Sequence, residues 1–226
     1  MEPTVRFSSR ARRVSLRALP DGTVEVVAPV GASRRRIDRL IAESAGWLAR
    51  LEQREASTPR LGLDRPGVVW RHGEAVRVVR DHGAPRVEAD GGIVVVRAGD
   101  DDAARRAIVR WYRSVCRDFL ESETRRAAAE MTLDVPTVAV REARSRWGSC
   151  TPARRSLSLN WRLILVPPAV ARYVVVHELA HLRHADHGQR FWSLVERHDA
   201  DVVAHRAWLR RYGAQVLAYD PALAIR

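Results

Sequence analysis

The sequence lacks long apolar runs, and this argues against a membrane-spanning helix. Its longest uncharged apolar stretch, residues 163–171, contains two prolines and falls far short of the roughly 20 residues that a span needs. Cysteine is also scarce, since Cys116 and Cys150 are the only two in the chain. Two cysteines cannot form a disulfide framework, so we expect both to be reduced thiols.

The first residues of the sequence do not show the pattern of a secretory signal. Residues 1–13 carry four arginines, but no apolar stretch follows them, as a secretory signal would require. Together with the unpaired cysteines and the lack of a membrane segment, this predicts a cytoplasmic protein that does not associate with a membrane.

Lysine is absent altogether. All 39 basic residues are arginine, and 27 acidic residues leave a formal net charge of +12. A basic balance is compatible with a nucleic-acid partner. However, the arginines are spread along the chain, and arginine in place of lysine beside abundant Ala and Val is typical of a GC-rich genome. We therefore expect a generally basic surface and do not favour nucleic acid as the partner.

The patterns along the chain predict an α+β fold with two portions. A hydrophobic fraction of 46% and a charged fraction of 29% are typical of a globular protein. Residues 1–100 contain mostly short β-patterns separated by turns such as Asp21-Gly22, with one helical pattern over residues 33–51. Helical patterns dominate residues 101–226, which we expect to form a second domain.

In the second portion, the acidic start at residues 100–102 predicts a long helix that runs to about Met131. Residues 137–141 and 156–160 alternate as β-strands do. Helical pattern returns over residues 189–212 and is expected to end near Gly213.

Six of the eight histidines lie between residues 177 and 205, and they include the run His177-Glu178-Leu179-Ala180-His181. This H-E-x-x-H pattern falls on an apolar helix predicted to begin at Pro167-Pro168. Residues four apart share one helix face about 6 Å apart along the axis, so both imidazoles can reach one zinc ion. Glu178 lies about 100° around the helix, where its carboxylate can take a proton from a water molecule at the ion.

A catalytic zinc ion needs a third protein ligand and an open position. We favour His187, because the chain can turn back toward the ion just before Gly188. Glu196, His184 and Cys150 remain alternatives. His184 shares the helix face of the first two histidines, but three rings spread over about 10.5 Å of helix cannot close around one ion. The competing interpretation, in which the histidines are hydrogen-bonded core residues, is not favoured.

Several segments together resemble one known family. They are Arg146-Trp147-Gly148-Ser149-Cys150, residues 157–163, Pro167-Pro168, residues 173–182 and His187 with Phe191-Trp192. They are similar to the YgjP-like metallopeptidase family, which is related to the SprT-like zinc proteases. The resemblance is specific over about residues 136–200. It implies a zincin-like metallopeptidase unit, in which a small sheet packs on the H-E-x-x-H helix, three histidines (His177, His181 and His187) hold zinc, and Glu178 is the base.

Residues near the motif have a structural and a functional interpretation. The strand around Trp147 could pair with an extended substrate, but we favour Trp147 as a core residue, Gly148 as a close backbone contact and Cys150 as an inert thiol. We also expect core packing for Tyr173 and for Phe191-Trp192. Three aspartates are candidates to orient the ligand imidazoles: Asp186, Asp199 and Asp201.

We therefore expect a zinc metallohydrolase, specifically a metalloendopeptidase that hydrolyses a peptide or protein substrate through a zinc-bound water activated by Glu178. One alternative is a zinc-dependent nucleoside triphosphate pyrophosphohydrolase, because an arginine-rich site suits phosphate groups. Another is a DNA-associated SprT-like protein whose basic N-terminal portion binds nucleic acid. The sequence indicates neither the substrate nor the oligomeric state.

Overall fold

The structure is a computed structural model that describes residues 3–19, 23–57, 60–63, 65–90, 92–143 and 145–221. The predicted turn at Asp21-Gly22 lies outside these residues. Within them, ten strands form three small sheets beside six α-helices and two short 3-10 helices. This mixture confirms the predicted α+β class. Among the described residues, no helix is both long enough and apolar enough to cross a membrane.

The elements are numbered in chain order. The strands are β1 (Thr4–Ser8), β2 (Ser15–Ala18), β3 (Val24–Pro29), β4 (Val68–Arg71), β5 (Glu74–Asp81), β6 (Arg86–Asp90), β7 (Ile93–Arg97), β8 (Thr137–Arg141), β9 (Gly148–Thr151) and β10 (Ser156–Asn160). The helices are α1 (Arg34–Glu43), α2 (Ala45–Ser57), α3 (Asp101–Glu130), α4 (Pro168–Ala180), α5 (Gln189–His198) and α6 (Val202–Leu217).

The first sheet has a small hydrophobic cluster of its own. Its central strand β3 is parallel to β1 and antiparallel to β2. Alternate residues of β3 face inward, as the period of a strand requires, and Val26 and Ala28 pack there against Ile37 of α1. The helical pattern over residues 33–51 forms two helices rather than one, because α1 ends at Ser44, a residue type that is unfavourable inside helices.

The second sheet contributes to the main hydrophobic core. Its order is β4-β5-β7-β6, and the pair β5 and β7 is parallel. Val69, Val94 and Val96 are buried in one cluster that also contains residues of α3, α4, α5 and α6. Hydrophobic contacts therefore join residues 63–98 to the helices that follow them. The predicted division of the chain into an N-terminal portion, residues 1–100, and a second domain, residues 101–226, stays a prediction.

Helix α3 begins and ends where the sequence predicts. The Asp100 side chain accepts a hydrogen bond from the backbone N–H of Ala103 at 2.6 Å, which caps the helix. The helix runs to Glu130. One face of α3 buries Ile108, Tyr112 and Leu120. The helix packs against α4.

The third sheet lies directly beside α4. Strand β10 is central, parallel to β8 and antiparallel to β9, which leaves β9 at an edge. Helix α4 packs against α3, α5, α6 and β9. A helix enclosed in this way has to be apolar on most faces, and Val175, Val176 and Leu179 are indeed fully buried.

The predicted helix over residues 189–212 is in fact two helices. It breaks at residues 199–201, where the backbone N–H of Asp201 donates to the Asp199 side chain at 3.1 Å, a local bond that competes with helix formation. Helix α6 then continues through Gly213 to Leu217. A side chain at Gly213 would lie 3.3 Å from the ring of Trp147, so this glycine allows close packing and does not end the helix.

A tight turn between β4 and β5 supports the start of α4. The backbone N–H of His72 donates to the carbonyl of Ile164 at 2.6 Å, and that of Gly73 donates to Leu165 at 3.1 Å. Gly73 has a φ of +84°, and a Cβ there would lie 3.2 Å from Pro167. Glycine is thus needed for both the turn conformation and the close approach.

A buried tyrosine links the second sheet to the helices. The Tyr112 hydroxyl accepts from the backbone N–H of Trp70 and donates to its carbonyl, both at 2.9 Å, and lies 3.1 Å from the Tyr219 hydroxyl. Without the Tyr112 hydroxyl, the backbone N–H of Trp70 would lose its acceptor. The free energy lost by removing that N–H from water would then not be offset by a hydrogen bond.

We therefore expect Tyr112→Phe to lower the free energy of unfolding by about 1–3 kcal/mol. Urea denaturation followed by far-UV circular dichroism measures this change. Tyr212→Phe is the matched control, because its hydroxyl has no hydrogen-bond partner among the described residues. Equal stability of the two variants would contradict the structural role of the Tyr112 hydroxyl.

Candidate metal centre

The last turn of α4 carries the H-E-x-x-H motif to the edge of the core. His177 lies within the helix, and His181 is its C-cap residue with helical backbone angles. Four-residue spacing places the two imidazoles on one face, and their ring centroids are 5.1 Å apart. The motif thus presents two nitrogen donors at the point where the buried helix ends.

The chain then turns back and brings a third histidine to the first two. His187 lies just before α5, and its Nε2 is 3.1 Å from Nε2 of His177. One nitrogen from each of His177, His181 and His187 lies within 4.8 Å of the others. Among the described residues, His184, Glu196 and Cys150 do not belong to this cluster.

A backbone carbonyl orients one of the three rings. Nδ1 of His181 lies 3.1 Å from the carbonyl oxygen of His184, and since a carbonyl only accepts, Nδ1 must carry the proton. Nε2 of His181 therefore keeps a lone pair for a metal ion. Nδ1 of His177 is buried and has no partner among the described residues. His184 thus contributes through its main chain and not through its ring.

The distance between two nitrogens of the cluster and the lowered pKa values of two of its rings suit a zinc ion. Two nitrogens at roughly 2.0–2.1 Å from one tetrahedral zinc lie about 3.3–3.4 Å apart, close to the 3.1 Å between His177 and His187. Burial, aided by the charge of the other two histidines, lowers the pKa of His177 to about 4. Burial also lowers the pKa of His181. Neutral imidazoles are the form that binds metal.

Aromatic residues of α5 form the apolar wall of the cluster. The Phe191 ring is fully buried, and its centroid lies 4.7–4.9 Å from those of the three imidazoles. The Trp192 ring is 5.9 Å from those of His177 and His187. The expected core position of Phe191 is confirmed, whereas Trp192 remains partly exposed.

Glu178 is buried beside the cluster under strand β9. A Cβ at Gly148 would lie 2.6 Å from both Cγ and Oε1 of Glu178, so the strand backbone lies directly against the carboxyl group. Burial raises the pKa of Glu178 to about 7, although the positive charge of Arg146 opposes this rise. Such a carboxylate can accept and release a proton near neutral pH. The predicted close contact at Gly148 is confirmed.

Comparison with known proteins identifies the family. A family model described as "YgjP-like, metallopeptidase domain" matches residues 12–212. The chain belongs to the YgjP-like metallopeptidase family. The resemblance inferred from the sequence is thereby confirmed, and family membership implies both peptidase chemistry and a metal ion.

Other comparisons add little to this identification. No curated protein matches the chain. One solved structure with a detectable likeness is the metallopeptidase zymogen of Pyrococcus abyssi abylysin, which is 20% identical. The match covers 40% of this chain and 93% of that one with a TM-score of 0.36, a likeness too low to support an argument.

Neither cysteine of this YgjP-like protein is among the clustered metal donors of the described residues. Cys150 lies on β9, and burial together with the nearby negative charge of Glu178 raises the pKa of its thiol to about 11. Burial raises the pKa of Cys116 to about 12. Both thiols are therefore protonated at neutral pH when no metal ion is bound, and among the described residues neither lies within the three-histidine cluster.

The remaining candidates lie around the site without joining it. Tyr173 is buried, with its ring 5.9 Å from that of His177, and burial raises its pKa. Asp199 pairs with His205 at 2.9 Å, and Asp186 accepts from the backbone of Gly188. Among the described residues, no carboxylate orients a ring of the cluster. The His184 carbonyl does so instead, and no side-chain pattern could have revealed it.

We predict that the purified protein binds about one zinc ion per chain and that His187→Ala removes most of it, because two imidazoles alone hold zinc weakly. Metal content is measured by mass spectrometry after dialysis against trace zinc. His184→Ala is the matched control and should retain the metal, since its backbone carbonyl is unchanged. Loss of zinc in the control with retention in His187→Ala would exclude the cluster as the site.

Proposed function

We propose that this chain is a zinc-dependent metallopeptidase in which His177, His181 and His187 hold the ion and Glu178 is the general base. The observation that carries this proposal is the convergence of three imidazoles beside one buried carboxylate. Family membership supports the peptidase chemistry.

The donor set favours zinc in a catalytic role. Imidazole nitrogens suit zinc, whereas magnesium and calcium prefer oxygen ligands. Structural zinc sites are normally closed by four protein ligands, and catalytic sites use three with one open position. Three donors in the cluster therefore support a site that can admit water or substrate.

The proposed chemistry divides between the ion and Glu178. Zinc, when bound, lowers the pKa of a water molecule and polarises a carbonyl group. Glu178 takes a proton from the attacking water and donates it to the leaving amine. Its pKa of about 7 suits both steps, and the backbone at Gly148 holds the carboxyl group in place.

Strand β9 offers a place for an extended substrate. It pairs with β10 on one side, and its other edge pairs with no strand in the described part of the chain. An extended peptide can add to such an edge through main-chain hydrogen bonds. Because Gly148 of β9 lies against Glu178, a peptide on this edge would pass close to the proposed base.

We expect the zinc-loaded protein to cleave an unfolded, fluorescently labelled protein substrate, and Glu178→Gln to lower the rate about 10²–10⁴-fold. Zinc content should remain unchanged, because Glu178 is not among the clustered donors. Pyrophosphate release from nucleoside triphosphates, measured in parallel, tests the alternative reaction. Hydrolysis of nucleotides without cleavage of the peptide substrate would contradict the proposal.

Two glycine variants serve as a matched pair for the same test. Gly148→Ala forces a Cβ into the Glu178 carboxyl group and should also reduce cleavage, whereas a Cβ at Gly99 meets no atom within 4 Å. Gly99→Ala should therefore keep the wild-type rate. Similar cleavage rates for the two variants would show that peptide hydrolysis does not depend on the position of the Glu178 carboxyl group.

A further inference from the structure

A cavity of about 320 Å³ adjoins the proposed active site on the side of the third sheet. It is lined by the ends of β8, β9 and β10 and by residues 142–143 and 146–147, and its lining includes Arg141, Glu142, Arg146 and Gly148. Gly148 links the cavity to the proposed active site, because the same residue also lies against Glu178. The cavity and the contact with the proposed general base therefore share Gly148.

The cavity lining carries an excess of positive charge. Glu142 is the one acidic residue among the described lining residues. It already has two partners, since Arg162 and Arg113 each lie 3.3 Å from its carboxylate. Arg141 and Arg146, in contrast, have no carboxylate within 4.0 Å among the described residues. The charge of Arg146 acts on Glu178, but neither guanidinium forms an ion pair within the described part of the chain, so both can contact a negatively charged ligand.

The loop that carries Arg146 is held by a buried polar side chain. Asn160 is 2% exposed, and its Nδ2 donates to the carbonyls of Ala143 at 2.7 Å and Arg146 at 3.0 Å. Its Oδ1 accepts from the backbone N–H of Arg162 at 3.1 Å. These bonds fix the backbone of Arg146 before a ligand arrives, which lowers the entropic cost of binding.

A second positive group lies near the metal centre. The guanidinium of Arg206 stacks on the ring of Trp192 at 4.3 Å, and Trp192 lies beside His177 and His187. Arg206 likewise has no carboxylate within 4.0 Å in the part of the chain that the structure describes. Electrostatic complementarity therefore favours an acidic substrate over a basic one.

We propose that the cavity binds a carboxylate of the substrate through Arg146, with Arg141 as the second contact, and that the enzyme prefers peptides with Asp or Glu near the cleaved bond. The planar fork of an arginine matches a carboxylate through two parallel hydrogen bonds. This specificity rests on the proposed peptidase function and adds a substrate class to it.

The first experiment profiles cleavage sites in a proteome-derived peptide mixture by mass spectrometry. We expect Asp and Glu to be enriched over Asn and Gln by about tenfold at one position near the cleaved bond, the discrimination expected of a charge-assisted hydrogen bond. Arg146→Gln should remove most of this enrichment. Arg154→Gln is the matched control, because Arg154 is exposed at the opposite end of the β9–β10 hairpin and unpaired among the described residues.

Cleavage without acidic preference, or an unchanged preference in Arg146→Gln, would overturn the proposed subsite and leave the peptidase function intact. A preference confined to a free C-terminal carboxylate, and lost when the peptide is amidated, would overturn the assignment to an acidic side chain.

A binding measurement separates the subsite from the peptidase function. Fluorescence anisotropy with zinc-loaded Glu178→Gln compares two labelled peptides that differ only by a central Glu or Gln. We expect the Glu peptide to bind about tenfold more tightly and Arg146→Gln in this background to abolish the difference. If wild type cleaves no peptide, the peptidase function fails. Equal binding of the Glu and Gln peptides overturns the proposed subsite, whether or not the wild-type protein cleaves peptides.

Discussion

Burial of α4 is the constraint on which the arrangement of the site depends. The helix is enclosed by α3, α5, α6 and the third sheet, and its valines and Leu179 are removed from solvent. Apart from Tyr173 and Arg172, which pairs with Glu123 and Glu130, the polar side chains of this helix lie in its last turn. His177, Glu178 and His181 lie there, and the chain that follows returns at Gly188 to add His187. Packing of one apolar helix thus sets where the chemistry can occur.

The same burial gives the two kinds of group in the site their properties. Removal from water favours the neutral form of each, so it lowers the pKa of His177 and raises that of Glu178. Neutral imidazoles are free to bind a metal ion, and a carboxyl group that titrates near neutral pH can exchange protons. Close approach of the β9 backbone at Gly148 excludes water from one side of Glu178 and strengthens this effect.

Local patterns in the sequence predicted the parts of the structure that depend on periodicity and spacing. They include the long helix α3, the strands β8 and β10, the helix that carries the motif and the return of His187. The patterns failed where the local structure depends on a contact that residue types do not reveal. Gly213 resembles a helix end but packs against Trp147, and the His181 ring is oriented by a backbone carbonyl. No residue-type pattern encodes such a carbonyl or the arginines that meet at the cavity.

X-ray absorption spectroscopy at the zinc edge is the measurement that tests the central claim most directly. A site formed by His177, His181 and His187 predicts three imidazole nitrogens at about 2.0–2.1 Å and one further light-atom ligand, such as water. A sulfur contribution at about 2.3 Å would instead indicate Cys150 as a ligand. A sulfur contribution or a fourth imidazole would contradict the account, because either would close the position that the proposed hydrolysis requires.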